Sequence, residues 1–174
     1  MFFLYLIEEK SLTKNFIYQI DIDKILSSYD TVIDEKNILK KENRPYFSCV
    51  ELNKEYSAFI PIRTYLPHKY GFITKTYKTK ERKLKRSGLD YTKSLIFKSK
   101  YLNEYIINTT GISFSEYKKI ESNIETIILE YKDFLFNTFI PIMKKDPSKY
   151  TPKERNIYNF SSLQYMENII RDLY

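Results

Sequence analysis

The residues of this chain that are best suited to chemistry lie in the segment IPIRTYLPHKYGF, residues 60–72. The segment begins with apolar residues and then places Arg63, Thr64, His68 and Lys69 within seven residues, and His68 is the only histidine of the chain. Cations stabilise a developing negative charge, and a histidine that titrates near neutrality can transfer protons. A lone histidine is, however, more often an ordinary hydrogen-bonded loop residue. The segment therefore predicts either a polar loop after a strand or a strand that delivers a reactive cluster to a site.

Lys93 is the second candidate, because it interrupts an apolar row in the segment LDYTKSLIF, residues 89–97. We predict a single strand here, and the alternation of side chains then puts Lys93 on one face between Tyr91 and Leu95. Burial would lower the pKa of this lysine toward values that are useful for proton transfer. Alternatively, its ammonium group extends to the edge of the sheet while its methylenes pack. Asp90 lies on the opposite face, where we interpret it as a turn residue.

Several sequence motifs are absent, and their absence narrows the chemistry. The chain contains no HExxH motif, no cysteine pair and no tight carboxylate cluster, and its three glycines, at positions 71, 88 and 111, cannot form a phosphate-binding loop. We therefore expect neither a metal ion nor a cofactor. The remaining groups suit RNA cleavage by the substrate's own 2′-hydroxyl. That reaction needs a base, an acid and cations on the phosphorane, but no nucleophile from the enzyme.

Length and composition predict one domain over residues 1–174, because domains usually contain about 100–200 residues. No run approaches the roughly 18 apolar residues of a membrane span. The N-terminal MFFLYLI lacks a preceding basic residue and predicts a first strand over 2–8, not a signal peptide. A single cysteine, Cys49, excludes a disulfide framework, and we expect the reducing cytoplasm.

The positive charge of the chain is concentrated in one segment. The formal net charge is +7, and KTYKTKERKLKR, residues 75–86, holds seven basic residues against Glu81. We predict an exposed loop over 75–87 that either is simply solvated or binds a polyanion. The chain also has 17 tyrosines and no tryptophan. Lysines that follow phosphates and aromatic rings that stack on bases favour an RNA-handling protein. An AT-rich genome would explain the same composition.

The order of the predicted elements indicates an α+β fold, a small antiparallel sheet with helices packed on it and concentrated after residue 98. Further strands are predicted at 16–20, 45–52 and 55–64, the last two forming a hairpin with a two-residue turn, and Pro61 suggests an edge or a bulge. Residues 30–43 are predicted as loop. Helix starts are predicted from capping residues: Asp21 or Asp23, Ser113 with Glu116, Thr151 with Glu154, and Ser161. The helix after Ser113 is predicted to end at Pro141.

Four segments of the chain resemble toxins of type III toxin–antitoxin systems, the ToxN/AbiQ superfamily, and most of all its TenpN branch. They are ENRPYFSCVELNKEYSAFIPIRT, HKYGF, RSGLDYTKSLIF and FSSLQYMENII, and they cover roughly residues 42–98 and 160–170. The resemblance implies an endoribonuclease with a compact, strongly bent antiparallel sheet like that of MazF-type toxins. It also implies a small antitoxin RNA, a pseudoknot repeat unit, that the toxin cuts from a precursor and that then inhibits it. Cellular or phage RNA would be the substrate.

Members of this superfamily carry a Pro-Leu-Thr-Ser-Pro-Lys segment after the second hairpin strand and use its hydroxyl and its lysine. The corresponding residues here begin at Pro61, and Thr64 keeps a hydroxyl in the place of the serine. The lysine has no equivalent at the same offset, although His68 or Lys69 could replace it.

The resulting hypothesis gives each candidate a role. His68 or Lys93 transfers protons, Arg63 stabilises the phosphorane, and Thr64 donates a hydrogen bond to the phosphate. The residues expected to bind RNA are Arg44, Tyr46, Lys69, Lys78, Lys80, Arg82, Lys83, Lys85, Arg86 and Ser94. Two alternatives stay open: a non-catalytic RNA-binding protein, and an interaction protein whose basic segment binds an acidic partner.

Overall fold

A computed structural model describes residues 16–29, 33, 38 and 43–174, except for the side chain of Cys49. Within this part, seven antiparallel strands form one sheet in the order β4-β5-β3-β2-β1-β7, with β6 also paired to β3. The strands are Ile17–Ile20 (β1), Tyr46–Glu51 (β2), Tyr56–Arg63 (β3), Gly71–Lys78 (β4), Leu84–Asp90 (β5), Leu95–Lys98 (β6) and Ile106–Thr109 (β7). The predicted strand over 2–8 and most of the predicted loop over 30–43 lie outside the described residues.

Helices follow mainly after the sheet, so the predicted α+β class is confirmed. The α-helices are Ile22–Ser27 (α1), Leu102–Tyr105 (α2), Phe114–Glu121 (α3), Ile124–Asp133 (α4), Ile140–Met143 (α5), Pro152–Phe160 (α6) and Glu167–Arg171 (α7). Short 3-10 helices cover Tyr91–Lys93, Ser99–Tyr101, Pro147–Lys149 and Ser162–Met166.

Three of the predicted helix caps are present: Asp21, Thr151 and Ser161, whose hydroxyl accepts from Leu163 N at 3.2 Å and begins a 3-10 helix instead of an α-helix. The Asp21 carboxylate accepts from Lys24 N at 3.0 Å and begins α1. Thr151 and Glu154 form a reciprocal capping box at the start of α6. Ser113 behaves differently, because its hydroxyl donates to the Glu116 carboxylate at 2.7 Å and does not cap a backbone amide.

The prediction of one helix from Ser113 to Pro141 was wrong at two places. The segment is divided into α3 and α4 by the turn at Ser122 and Asn123, and it does not end at Pro141. The helix continues from α4 through a π-helical segment, Phe134–Phe139, into α5, which ends at Met143. A proline lacks the amide hydrogen and its ring crowds the carbonyl one turn earlier. The wider π turn before Pro141 accommodates both defects, so the helix continues past the proline.

The hydrophobic core lies between the sheet and the C-terminal helices. Phe59 of β3 and Phe97 of β6 stack with ring centroids 4.3 Å apart. The core also contains fully buried residues from the helical half of the chain, among them Tyr131, Phe139 and Leu163. Burial of these large side chains is the main force that holds the helices on the sheet.

Two local predictions need correction. Residues 75–87 are not a loop, because β4 and β5 pair from Lys75↔Ser87 to Lys78↔Leu84 and leave only Thr79–Lys83 as the connection. Both faces of a two-stranded ribbon can be exposed and charged. The sequence then lacks the alternation of apolar and polar residues that indicates a strand. The β2–β3 turn is longer than two residues, since Leu52 N and Asn53 N both donate to Tyr56 O.

The third correction concerns residues 89–97, which were predicted as a single strand. The edge of β3 pairs first with β5, at Ile62↔Leu89, and then with β6, at Phe59↔Leu95. Leu89 and Leu95 are six residues apart, whereas their partners are only three apart. The surplus residues leave the sheet as the 3-10 turn Tyr91–Lys93. This interruption, called the strand break below, forms the floor of the candidate site.

Candidate active site

Pro61 lies opposite the strand break. Ile62 N donates to Pro45 O on the β2 side of β3 at 2.9 Å. Because successive amides of a strand point to opposite edges, the nitrogen of Pro61 points to the other edge, where β5 has ended and β6 has not begun. A residue with an amide hydrogen would leave that donor without a strand partner there. The predicted bulge lies instead in β2, between Phe47 and Val50.

Asp90, the last residue of β5, is the centre of the site. Its side chain is fully buried, and it accepts hydrogen bonds from Arg63 Nη1 at 2.7 Å, Thr92 Oγ1 at 2.6 Å and Thr92 N at 3.0 Å. Burial by itself raises the pKa of this carboxyl. The hydrogen bonds from His68, Thr92 and Arg63 outweigh burial and bring its pKa below the ordinary value. Asp90 is therefore an ionised carboxylate that organises the groups around it.

His68 faces this carboxylate from the loop after β3. Its Nε2 lies 3.3 Å from Asp90 Oδ1 and 3.3 Å from Thr92 Oγ1. The Thr92 hydroxyl already donates to Asp90, so it can only accept from the imidazole, and the geometry fits a proton on Nε2. The other ring nitrogen, Nδ1, is buried without a hydrogen-bond partner. His68 is thus directed into the protein, toward Asp90.

Lys93 ends the 3-10 turn at the strand break and is half-buried. Burial lowers its pKa to about 8; the Asp90 carboxylate opposes this shift and the Arg63 guanidinium adds to it. Its Nζ donates to the main-chain carbonyl of Phe160. The residue does not sit in an apolar row of a strand, as predicted, because the chain leaves the sheet here. The predicted lowering of the Lys93 pKa is present, but its cause is burial in the 3-10 turn and not a position within a strand.

The C-terminal segment 160–162 covers the strand break. Ser161 and Ser162 are fully buried, and their hydroxyls donate to Thr92 O at 2.8 Å and to Ser94 O at 2.7 Å. These bonds satisfy carbonyls that lost their strand partners when the chain left the sheet. They also fix the main chain on both sides of Lys93.

An open cleft of about 410 Å³ adjoins the cluster. Arg63 belongs to both, since it lines the cleft and pairs with Asp90. The cleft is lined by Asn43, Arg44, Pro45, Ile62, Arg63, Thr64, Lys75, Tyr77, Ser87, Ile112 and Glu116. Arg44 donates to Ile62 O at 3.2 Å, whereas its Nε is buried without a hydrogen-bond partner. The Tyr77 hydroxyl donates to Thr64 O at 2.6 Å, which holds its ring beside the cleft.

Glu116 is the carboxylate of the cleft, and its hydrogen bonds are structural. It accepts from Thr74 of β4 at 2.9 Å, from Ser87 of β5 at 3.1 Å and from Ser113 at 2.7 Å. Burial raises the pKa of Glu116, but these bonds and the nearby Lys75 bring it below the ordinary value. Three hydroxyls occupy most of its acceptor capacity, so Glu116 anchors α3 to the β4–β5 hairpin and leaves the cleft predominantly cationic.

The basic residues predicted to bind RNA lie along the β4–β5 hairpin. Lys78, Lys80, Arg82 and Lys83 are exposed at its tip. Lys85 lies directly opposite Tyr77, and its Nζ is 5.0 Å from the centroid of the Tyr65 ring. Cross-strand neighbours share a face, so Lys85 extends the cationic face of the cleft toward the tip.

The remaining basic residues of this set are close to His68. Arg86 donates to His68 O at 3.4 Å and so supports the loop that carries the histidine. Lys69 is exposed, and its Nζ lies 5.4 Å from the centroid of the Tyr70 ring.

Two residues predicted to bind RNA are placed elsewhere. Tyr46 is buried in the core and packs edge-on against Phe59, with ring centroids 6.4 Å apart. Ser94 is also buried, and its hydroxyl bonds to the Tyr131 hydroxyl at 2.8 Å. Neither side chain reaches the surface of the protein, because each is packed in the interior.

The sequence analysis missed the organising role of Asp90 and did not name Thr92 as a site residue. The signal that was available is local: an Asp followed two residues later by a Thr is typical of a turn in which the carboxylate accepts from the backbone. That turn is present, since Asp90 accepts from Thr92 N. The contacts that make it part of a site, to Arg63 and His68, come from distant parts of the chain and have no sequence signal of their own.

The described residues offer neither a metal-binding cluster nor a membrane-spanning helix. No three His, Cys, Asp or Glu side chains come together there in a way that could hold a metal ion. None of the helices in this part of the chain is long and apolar enough to cross a membrane. In comparisons with known proteins, the chain matches no family model, no curated protein and no solved structure.

Proposed function

We propose that the protein is an endoribonuclease that cleaves single-stranded RNA without a metal ion. In the proposed reaction the substrate's 2′-hydroxyl attacks the adjacent phosphorus, the bond to the 5′-oxygen breaks, and the products carry a 2′,3′-cyclic phosphate and a 5′-hydroxyl. The observation that carries the proposal is the position of Lys93, with a pKa of about 8, beside the Arg63–Asp90 ion pair, whose arginine lines a cationic cleft.

Lys93 is the proposed general base. With a pKa of about 8, a substantial fraction of the amine is neutral near pH 7.5 and can accept the proton of the 2′-hydroxyl. An ordinary lysine, with a pKa near 10.4, would be almost entirely protonated at that pH. His68 suits this role less well than the sequence hypothesis allowed, since its Nε2 is directed to Asp90 and its Nδ1 is buried.

Arg63 is the proposed electrostatic catalyst. Its Nη1 is held by Asp90, and a guanidinium has five N–H donors, so others remain for the oxygens of a phosphorane. Thr64 follows at the end of β3, is exposed and lines the same cleft, where its hydroxyl can donate to a phosphate oxygen. The departing 5′-oxygen takes its proton from water, which the open cleft admits.

The biological context that we propose comes from the sequence resemblance. The enzyme would be the toxin of a type III toxin–antitoxin system in the cytoplasm, inhibited by a small repeat-encoded antitoxin RNA that it processes itself. The exposed cations of the β4–β5 hairpin would hold the backbones of this antitoxin and of cellular or phage substrates. The resemblance covers the strand break and segment 160–162, so it includes the residues that meet around Lys93.

A non-catalytic RNA-binding protein is the second candidate. The observation in its favour is that the hairpin and the cleft are cationic regardless of any proton transfer at Lys93. Such a protein would retard RNA in a gel and leave its length unchanged.

The test is to purify the protein from its intact locus, sequence any bound RNA, and incubate the RNA-free protein with single-stranded RNA in excess EDTA. We expect a uniform short RNA, and cleavage products with cyclic phosphate and 5′-hydroxyl ends. Lys93→Ala and Arg63→Ala proteins, checked for native circular dichroism, should lose cleavage and toxicity. Uncut RNA with the wild-type protein, or full cleavage by the Lys93→Ala protein, would overturn the proposal.

A further inference from the structure

Phe160 occupies a distinctive position next to Lys93. It is the last residue of α6, the residue is 64% exposed, and its carbonyl accepts the hydrogen bond from Lys93 Nζ. A phenylalanine ring is joined to its own main chain by a single methylene group. The exposed ring therefore belongs to the same residue whose carbonyl holds the lysine ammonium group.

The main chain around Phe160 is held rigidly. The fully buried Ser161 donates to Thr92 O at 2.8 Å and accepts from Leu163 N at 3.2 Å. The Gln164 amide donates to Asn159 O and to Ser161 O, each at 2.8 Å. A ligand that binds the ring would not have to order this segment first, and pre-organisation of this kind reduces the entropic cost of binding.

Packing of the core does not account for this ring. Ile157 and Tyr158 of the same helix pack against the core, and the Tyr158 ring stacks on Phe139 with centroids 5.8 Å apart. Phe160 instead lies at the surface with most of its area in water. Single exposed apolar residues are common in proteins, so exposure alone would indicate nothing. The informative observation is that the residue bearing this exposed ring is the one whose main-chain carbonyl binds the proposed general base.

We propose that Phe160 is a stacking platform for the nucleobase next to the scissile phosphate. The inference rests on the proposed function, and it adds a positioning residue and a substrate feature to it. Single-stranded nucleic acids bind by stacking bases on aromatic rings while cations hold the phosphates. Here the hairpin cations hold the backbone, and a base that rests on Phe160 places its neighbouring phosphate at Lys93 and Arg63. Stacking accepts any base, with purines favoured because of their larger ring area.

The natural absence of tryptophan makes the test direct. A Phe160→Trp protein has a single indole, whose fluorescence a stacked base quenches. Leu129→Trp is the matched control, because Leu129 of α4 is similarly exposed, at 69%, and does not line the cleft. The probes are short 2′-O-methyl oligo(A) and oligo(U), which cannot be cleaved, and inorganic polyphosphate, which has charge but no bases.

We expect oligo(A) to quench the Phe160→Trp protein more strongly than oligo(U) does, polyphosphate to bind without quenching it, and the Leu129→Trp signal to stay unchanged. Phe160→Ala should bind oligo(A) about tenfold more weakly, and Phe160→Tyr should restore binding. In cleavage assays the loss should appear as a raised KM with little change in kcat. Quenching by polyphosphate, or equal quenching of both tryptophan variants, would overturn the inference.

These binding measurements separate the two proposals. Base-dependent quenching in a protein that cuts no RNA would leave the stacking platform in place and remove the nuclease. Metal-free cleavage by the wild-type protein, with Phe160→Trp fluorescence that does not change when bases are added, would support the nuclease and remove the stacking platform.

Discussion

Arg63 and Asp90 form a 2.7 Å ion pair in which the Asp90 side chain is fully buried and the Arg63 side chain is 23% exposed. The pair spans two strands at the place where β3 changes its partner from β5 to β6. A surface ion pair contributes little to stability, whereas a buried charge that loses its partner is costly. The pair therefore links the stability of the strand break to the position of the cation that faces the cleft.

Removal of the Asp90 carboxylate tests this link. We expect Asp90→Ala to lower the free energy of unfolding by about 3 kcal/mol, because Arg63 and His68 lose a buried acceptor. Urea denaturation followed by circular dichroism measures the change. Glu125→Ala, at an exposed position of α4, is the control and should stay within about 0.5 kcal/mol of the wild type. A loss below about 1 kcal/mol for the Asp90 variant would mean that the carboxylate does not organise the site.

The pH dependence of cleavage should follow Lys93. Because its pKa is about 8, the fraction of Lys93 in the neutral form increases with pH below that value. We expect kcat/KM to rise about tenfold per pH unit up to that point and then to level off. Lys93→Arg separates a base from a fixed cation, because arginine stays protonated throughout this range. Its expected result is loss of cleavage with RNA binding retained; an active arginine variant would show that Lys93 acts only through its charge.

The two glycines of the β4–β5 hairpin near the cluster should not tolerate a methyl group. A Cβ on Gly71 would lie 2.2 Å from Leu89 O, and one on Gly88 would lie 2.0 Å from Phe72 O. Both contacts are to backbone atoms of a paired strand, so we expect each alanine variant to lose about 2–3 kcal/mol of unfolding free energy. Gly111 has nothing within 4 Å of the same position. Gly111→Ala should be neutral or stabilising by about 0.5 kcal/mol in the same thermal or urea melts.

The hairpin cations should dominate the salt dependence of RNA binding. Each phosphate contact to single-stranded RNA contributes about −0.7 to the slope of log K against log salt. We expect Lys78→Gln combined with Lys80→Gln to reduce the steepness of that slope by about 1.4, as fluorescence anisotropy would record it. Lys54→Gln is the control, because Lys54 is exposed in the turn before β3, at the opposite end of that strand from Arg63. An unchanged slope in the double variant would place the RNA elsewhere.

Sequence by itself determined the parts of this protein that depend on local interactions. The strands β1, β2 and β3 and the caps at Asp21 and Thr151 follow from side-chain alternation and from capping residues within one turn. The candidate residues Arg63 and Lys93 were also found in this way, because a cation at the end of an apolar strand, or within an apolar row, contrasts with its neighbours.

The tertiary structure alone decided how those residues meet. The strand break exists because residues 89–95 hold three more residues than the part of β3 that they accompany, and this excess is visible only once the pairing is known. Ser161 reaches Thr92 across 69 positions of sequence. Burial of Tyr46 likewise depends on which face of β2 the helices cover. Local patterns determine the strands and the caps, whereas the registers between strands and the docking of distant segments decide which side chains share a site.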